Sequence, residues 1–225
     1  SAMMETPELI SDILSSLRRN FPSTLPLSVK FRIFEEDGNS SVIDNSVVQV
    51  DDNIKLTRNV EKTIQFAQAC ENSGASAVIL HGRPAKNRHK GEVKYDEMKI
   101  VFDHIKNIAK VGNGGIKSRS DGYEMMSKIG CHSVMISSEA LRNPKVFQNS
   151  EDETSFSSSV ALSNARRFLD ICIEKRCSMN ECRFCLLEML GKQDDIKNTV
   201  GYRRLNNAKT VDSLHQLIYD ESLFT

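Results

Sequence analysis

The chain has 225 residues, 39% of them hydrophobic, which suits one ordinary domain, or one domain with a small appendage. Thirty basic and thirty acidic residues cancel, so no global field draws the chain to nucleic acid or membrane, and any polyanion site must come from local clustering. No apolar run approaches the roughly 20 residues of a membrane-spanning helix.

The opening SAMMETPELI lacks a charged-then-apolar leader layout, and Ser1-Ala2-Met3 reads as an expression remnant outside the fold. LSVKFRI (27–33) reads as a strand. The polar stretch that follows, rich in Asp, Asn and Ser, reads as a long loop or insertion through about residue 56. VEKTIQFAQACENSG has helical spacing, with Ile64, Ala67 and Glu71 three and four apart and Gly74 as its stop. SAVILHG (76–82) is a continuous apolar run of the kind covered on both faces in a parallel sheet. A helix over Tyr95–Asn107 and a strand over 109–116 (AKVGNGGI) come next. Ser118 and Asp121 fit a capping-box start for a helix through Ile129, and 132–138 (HSVMISS) is a fourth strand.

GASAVILHG (74–82) and GCHSVMISS (130–138) echo each other: a helix-stopping glycine, an apolar run, then a polar end. Strand–helix alternation of this kind predicts a parallel sheet with right-handed crossovers, and four such units make about half of a (β/α)8 barrel. After Phe147 the character changes. Residues 149–159 read as a polar linker, and only helices follow. Ala161, Ala165, Phe168 and Cys172 make one seam. Cys182, Cys185, Leu186, Met189 and Leu190 make another behind a Ser178–Glu181 capping box, and Val211, Leu214 and Ile218 a third. The expected fold is therefore α/β, the C-terminal part of a TIM-type barrel (4–148), followed by a small all-α domain (160–225).

Six cysteines without a secretory signal point to reduced thiols in an intracellular, cytoplasmic setting. Cys177, Cys182 and Cys185 have a C-x4-C-x2-C spacing that a cluster or metal site could use. Their helical apolar context makes them core residues instead, and no metal site is assigned.

Ligands of parallel α/β folds sit at the carboxyl ends of the strands. The first strand carries Lys30 and Arg32, the second ends in His81-Gly82-Arg83, the third in Asn113-Gly114-Gly115 and the fourth in Ser137-Ser138. Glycines let backbone N–H groups close on an anion, and a helix start near Ser138 adds more. These ends point to a phosphate-bearing cofactor, with an ordinary strand-to-helix turn as the alternative. His81 is equally readable as a structural histidine. A cation at Lys30 in a barrel mouth calls for an anionic or polar partner.

SVKFRI, GASAVILHGR, VGNGGI and SVMISSEALRNPKVF, in this order and spacing, resemble the dihydrouridine synthase family, flavoenzymes that reduce uridine in tRNA. RFCLLEML and its surroundings are similar to that family's helical tRNA-binding domain, in the eukaryotic cytoplasmic branch. The resemblance covers about residues 26 to 200. It implies FMN, with Lys30 and His81 at the flavin, His81 also beside the target base, and Asn113, Gly114, Gly115, Ser137 and Ser138 around the phosphate. It implies NADPH as hydride source and tRNA as partner, with Arg83 and the basic loop Lys86, Arg88, His89 and Lys90 toward the RNA. In such a reaction hydride passes to uracil C6, an acid protonates C5, and the uridine leaves its stack.

Two departures stand out. The family's first half-barrel, with its general-acid cysteine in an Asn-x-Gly-Cys-Pro context, has no counterpart, so no catalytic acid is assigned and His81 is a candidate base or flavin contact. Ser137-Ser138 also stands where the family has Gly-Arg. The chain is thus expected to be a fragment or short form that lacks the acid, completed by a missing N-terminal half-barrel or by dimerisation. The alternatives are a catalytically inactive RNA-binding relative and a half-barrel for another phosphorylated ligand.

Overall fold

The computed structural model describes residues 2–35, 47–51, 54–86, 91–148 and 157–224, which form two compact units, Ser1–Ile136 and Ser137–Thr225.

The first unit is built on four parallel strands, β1 (Ser28–Arg32), β4 (Ala77–His81), β5 (Ala109–Asn113) and β6 (Ser133–Met135), in the order β1-β4-β5-β6. Between consecutive strands run α2 (Arg58–Asn72), α3 (Tyr95–Asp103) and α4 (Arg119–Ile129). This is the α/β arrangement expected of a partial TIM-type barrel. Successive strand residues point to opposite faces. Phe31, Val78 and Leu80 are buried in the same core as Ile64, Phe102 and Met125 of the helices. On the other face Lys30 is exposed, while Ile79 and Val111 are only half-buried. The sheet is therefore packed by helices on one side, where parallel sheets ordinarily have both faces covered.

The helix boundaries follow local chemistry. Ser118 Oγ accepts from the Asp121 N–H at 3.0 Å, while the Asp121 carboxylate takes the Lys117 N–H at 2.9 Å in place of the Ser118 N–H of a full capping box. Gly130 closes α4 in the left-handed conformation, at φ 64°. The helix expected over Tyr95–Asn107 stops earlier. Its C-cap is His104, the Ile105 N–H turns back to Phe102 O, and the N–H groups of Lys106 and Asn107 donate to the Glu71 carboxylate at 2.9 and 2.5 Å. Glu71, set by its spacing on the inner stripe of α2, thus serves to hold the approach to β5.

One helix and one hairpin depart from the expected order of elements. Pro7–Asn20 forms α1, with Ile10 and Leu14 buried. Its Arg18 reaches over the turn into β4, donating to Gly74 O at 2.7 Å and Ser76 Oγ at 2.9 Å. The stretch read as a loop ends in an antiparallel hairpin of β2 (Val47–Asp51) and β3 (Ile54–Thr57). Its VVQV and IKLT runs are short and flanked by Asp and Asn, which hid their β propensity.

The second unit opens with the short α5 (Ser138–Arg142) and continues through α6 (Ser158–Glu174), α7 (Met179–Leu190), α8 (Asp194–Lys197), α9 (Val200–Asn207) and α10 (Val211–Tyr219). Most of the expected linker lies outside the described residues, and its Ser158 and Ser159 are already in α6. Leu169, Leu186, Met189, Leu205, Leu214 and Ile218 share one core. On α6 the buried fourth-turn residue is Leu169, where the expected seam had Phe168, which packs only partly. Cys182 is buried in this core and Cys185 half-buried. Ser178 and Glu181 form the full capping box, and the hydrogen bonds from Ser178 hold the Glu181 carboxyl below its ordinary pKa.

Candidate functional site

Strand register assembles the site. Parallel pairing sets Arg32 opposite His81, His81 opposite Asn113, and Asn113 opposite Met135. Paired residues of a parallel sheet share a face, so these four form one row across the carboxyl edge. Two residues earlier on each strand, Lys30, Ile79, Val111 and Ser133 form the row behind it. Lys30, His81 and Asn113, drawn from three separate strands, thus lie on the same side of the sheet.

His81 is buried, at 8% exposure. Its Nδ1 accepts the Arg83 backbone N–H at 3.0 Å and lies 3.2 Å from Arg32 Nη1, a group that can only donate. The Arg83 carbonyl is also 3.3 Å from Nδ1, a contact that suits a protonated nitrogen, but that carbonyl already accepts from Arg32 Nη1 at 3.1 Å. Nδ1 thus meets two donors and one shared carbonyl, a setting that favours the neutral ring. Burial first and the Arg32 charge second push His81 down to about 4, with Lys30 and Arg83 adding to the effect and the Arg83 carbonyl opposing it. Lys30, though exposed, is also held below its ordinary value, by desolvation and then by Arg32.

Asn113 is buried, and its Nδ2 donates to Met135 O at 2.7 Å, fixing the end of β5 against β6. Its backbone carbonyl accepts from Gly82 N at 3.0 Å. The chain then turns through Gly114 at φ 120° and Gly115 at φ 74°, a conformation that side-chain-bearing residues rarely adopt. A Cβ on Gly114 would lie 3.4 Å from both Cε1 and Nε2 of His81, so the free edge of the imidazole faces this turn. A Cβ on Gly115 would lie 3.0 Å from Val93 and 3.4 Å from Arg83 Nη2. The Arg83 guanidinium is held there by Nε donating to Gly91 O at 2.8 Å.

Of the residues singled out by sequence, Lys30, His81, Arg83, Asn113, Gly114 and Gly115 share this edge of the first unit. Ser137 and Ser138 open α5 of the second unit. Lys86 is exposed beyond Arg83, while Arg88, His89 and Lys90 lie outside the described residues. Arg32 belongs with the site although it was noted only as a strand cation. Its i, i+2 spacing from Lys30 was the available signal, since two residues along a strand return to the same face. A cavity of about 320 Å³ beside Gly115 was not foreseen. Its lining includes Lys117 and Lys128, but Asp121 and Glu124 balance them, and Lys128 Nζ sits 4.5 Å over the Tyr95 ring.

The cysteines lie elsewhere. Cys70 is within α2, Cys131 precedes β6, and the other four are in the second unit. Burial raises Cys70 to about 12 and also raises Cys131, so both are poor thiolates.

The site therefore offers cations from β1 and from the loop after β4, an imidazole shielded from protonation and a glycine turn open to close backbone approach. Such a donor-rich edge suits a polar or anionic ligand.

A family model described as dihydrouridine synthase matches residues 1–200. The probable tRNA-dihydrouridine synthase of Mycobacterium tuberculosis is 28% identical over 135 residues, 60% of this chain and 29% of that protein. The tRNA-dihydrouridine(16) synthase of Haemophilus influenzae is 26% identical over 147 residues, 65% of this chain and 40% of that protein. A human tRNA-dihydrouridine(20a/20b) synthase, NAD(P)+-like, is 25% identical over 153 residues, 68% of this chain and 40% of its own length. The matched part is thus well under half of each relative. The four strands and the residues at their carboxyl ends all fall inside the matched span, and the chain belongs to the dihydrouridine synthase family.

Proposed function

We propose that this chain forms the flavin- and tRNA-binding part of a tRNA-dihydrouridine synthase. The observation that carries the proposal is the row Arg32–His81–Asn113 beside the Gly114–Gly115 turn, within a chain of this family. Lys30 and His81 would hold the polar edge of an FMN ring. Asn113 would fix the strand end, and the backbone N–H groups of Gly114 and Gly115 would meet the phosphate. Bound FMN, reduced by NADPH, supplies the hydride for uracil. The second unit and the basic loop after Arg83 would each contact the tRNA.

The chain's own residues do less for the acid step. None of the six cysteines lies at the carboxyl end of a described strand. His81 takes donors at Nδ1 and resists protonation. On this reading the C5 proton would come from a group that these residues do not supply, as an N-terminal half-barrel or a second copy of the chain could provide. The helix-free face of the sheet and the edges of β1 and β6 supply the surface such a partner needs. The same observation supports a second reading, a catalytically silent relative that binds flavin and tRNA. Six free thiols suit a reducing, cytoplasmic compartment.

Purified chain should carry or take up one FMN, with a flavin absorption spectrum and a mass-spectrometric match. Protein that stays colourless after incubation with FMN rules out the cofactor assignment. Dihydrouridine formed on unmodified tRNA with NADPH separates the active from the silent reading.

A further inference from the structure

The Arg32–His81 contact fixes more than position. An imidazole has two nitrogens, and what meets one dictates what the other can offer. Nδ1 of His81 accepts from the Arg83 backbone N–H at 3.0 Å and faces Arg32 Nη1 at 3.2 Å. Two donors against one shared carbonyl at Nδ1 favour a neutral ring with its proton on Nε2, at the edge facing the Gly114 turn. Protonating Nδ1 would set an N–H against two N–H donors, and the charged groups around the ring are all cations: Lys30 and Arg32 on β1 and Arg83 after β4. The neighbouring residue across the sheet on β5 is Asn113, which is neutral.

We infer that Arg32 is a positioning residue which, with the Arg83 backbone N–H, locks His81 as a neutral imidazole carrying its proton on Nε2, so that the ring presents a fixed hydrogen-bond donor, and no acid, to a ligand oxygen at Gly114. The matching ligand atom is an acceptor, a ring carbonyl or a phosphate oxygen. A single nitrogen, Arg32 Nη1, serves both neighbours, lying 3.2 Å from Nδ1 and donating to the Arg83 carbonyl at 3.1 Å. Only the identity of the ligand rests on the flavin reading. The tautomer is a property of the protein alone.

The test is nitrogen-15 NMR of histidine-labelled chain across pH, with the His81 signals identified by their loss in His81→Gln. The expected result is an unprotonated Nδ1 and a protonated Nε2 that persist below pH 5. In Arg32→Gln the titration midpoint should rise by about one pH unit or more, part of the way to the ordinary value, because burial remains. Arg32→Lys, which keeps the charge, should fall between the two. The inference is overturned by a wild-type His81 that titrates near the ordinary histidine value or carries its proton on Nδ1, and equally by an Arg32→Gln midpoint that does not move. The wild-type arm decides even if a variant fails to fold. Adding FMN to the same sample separates the two claims. A locked His81 with no FMN binding removes the flavin reading and supports the role of Arg32. FMN binding beside an ordinarily titrating His81 does the reverse.

Discussion

Arg32 Nη1 on β1 lies 3.2 Å from His81 Nδ1 on β4, and the strand register pairs the same two residues. A cation beside a histidine ordinarily costs stability once the ring is charged, so this contact has a pH signature. His81 drops from 6.5 in the unfolded chain to about 4 in the folded one. Between those values the unfolded chain binds a proton that the native chain refuses, so stability falls as the pH is lowered through that window. The full shift corresponds to up to about 3 kcal/mol, less where solvent screens the partly open site. His81→Gln should flatten the dependence of urea midpoint on pH between 6.5 and 4 relative to wild type. Parallel curves for the two proteins would remove His81 as the cause.

The glycine turn makes a second prediction. At φ 120° Gly114 holds a conformation that alanine adopts only with strain, of order 1–3 kcal/mol. The space itself is adequate, since a Cβ would meet the His81 ring at 3.4 Å. Gly114→Ala should therefore fold with a lowered urea midpoint and bind FMN more weakly, the methyl group occupying the approach to the His81 edge. Wild-type FMN affinity in a folded Gly114→Ala would mean that the cofactor lies elsewhere.

Lys30 tests the cation side of the same site. A charge-assisted hydrogen bond contributes about 1.5–3 kcal/mol, so Lys30→Met should weaken FMN binding by about 10- to 100-fold in a fluorescence titration. Its exposed side chain makes little contribution to the core, and the melting temperature should barely change. A Lys30→Met chain that binds FMN like wild type takes Lys30 out of the site.

The strands were legible in the sequence because each is a short apolar run after a helix-ending stretch, as at Gly74 and Gly130, and ends in residues too polar for the core. What the sequence could not supply is register. Nothing in the spacing of Arg32, His81 and Asn113 along the chain says that they fall in one row. That follows from pairing β1 with β4 and β4 with β5, and it is what turned Arg32 from a strand cation into a partner of His81. Strand alternation explains why Lys30, set among apolar residues in SVKFRI, is exposed: it lies on the face opposite Phe31. On α6 the positions of Phe168 and Leu169 both satisfy helical spacing from Ala165, at three and four residues. Only packing against α7 and α10 selects Leu169 for the core. The β2–β3 hairpin was missed for a different reason, since alternation over four or five residues is easily masked by flanking acidic and amide groups.

The helical unit can be separated from the flavin site by a core cavity. Leu186 is fully buried among Leu169, Met189 and Leu214. Leu186→Ala should destabilise this unit by about 2–5 kcal/mol. If the second unit carries tRNA, binding in a filter or mobility assay should fall sharply while FMN uptake by the first unit persists. Loss of both together would show that the two units do not fold independently.

The basic loop gives the last test, because phosphate contacts leave a thermodynamic mark that packing does not. Each contact releases condensed counterions, so the logarithm of affinity falls linearly with the logarithm of salt, with a slope of about 0.7 to 0.9 per contact. Lys86 is exposed just past Arg83, and Arg88 and Lys90 follow it in sequence outside the described residues. A chain carrying Lys86→Glu, Arg88→Glu and Lys90→Glu should bind tRNA more weakly at low salt, and its salt slope should shrink by roughly 2 to 3 if all three touch phosphate. FMN binding should be unaffected, since Lys86 lies past the residues that face the Gly114 turn. Neutral Gln at the same three positions should give the same loss of slope with a smaller loss of affinity, because charge reversal adds repulsion to the missing contacts. An unchanged slope with a reduced affinity would place the loop near the RNA without phosphate contact. An unchanged affinity would leave tRNA recognition to the helical unit and to Arg83.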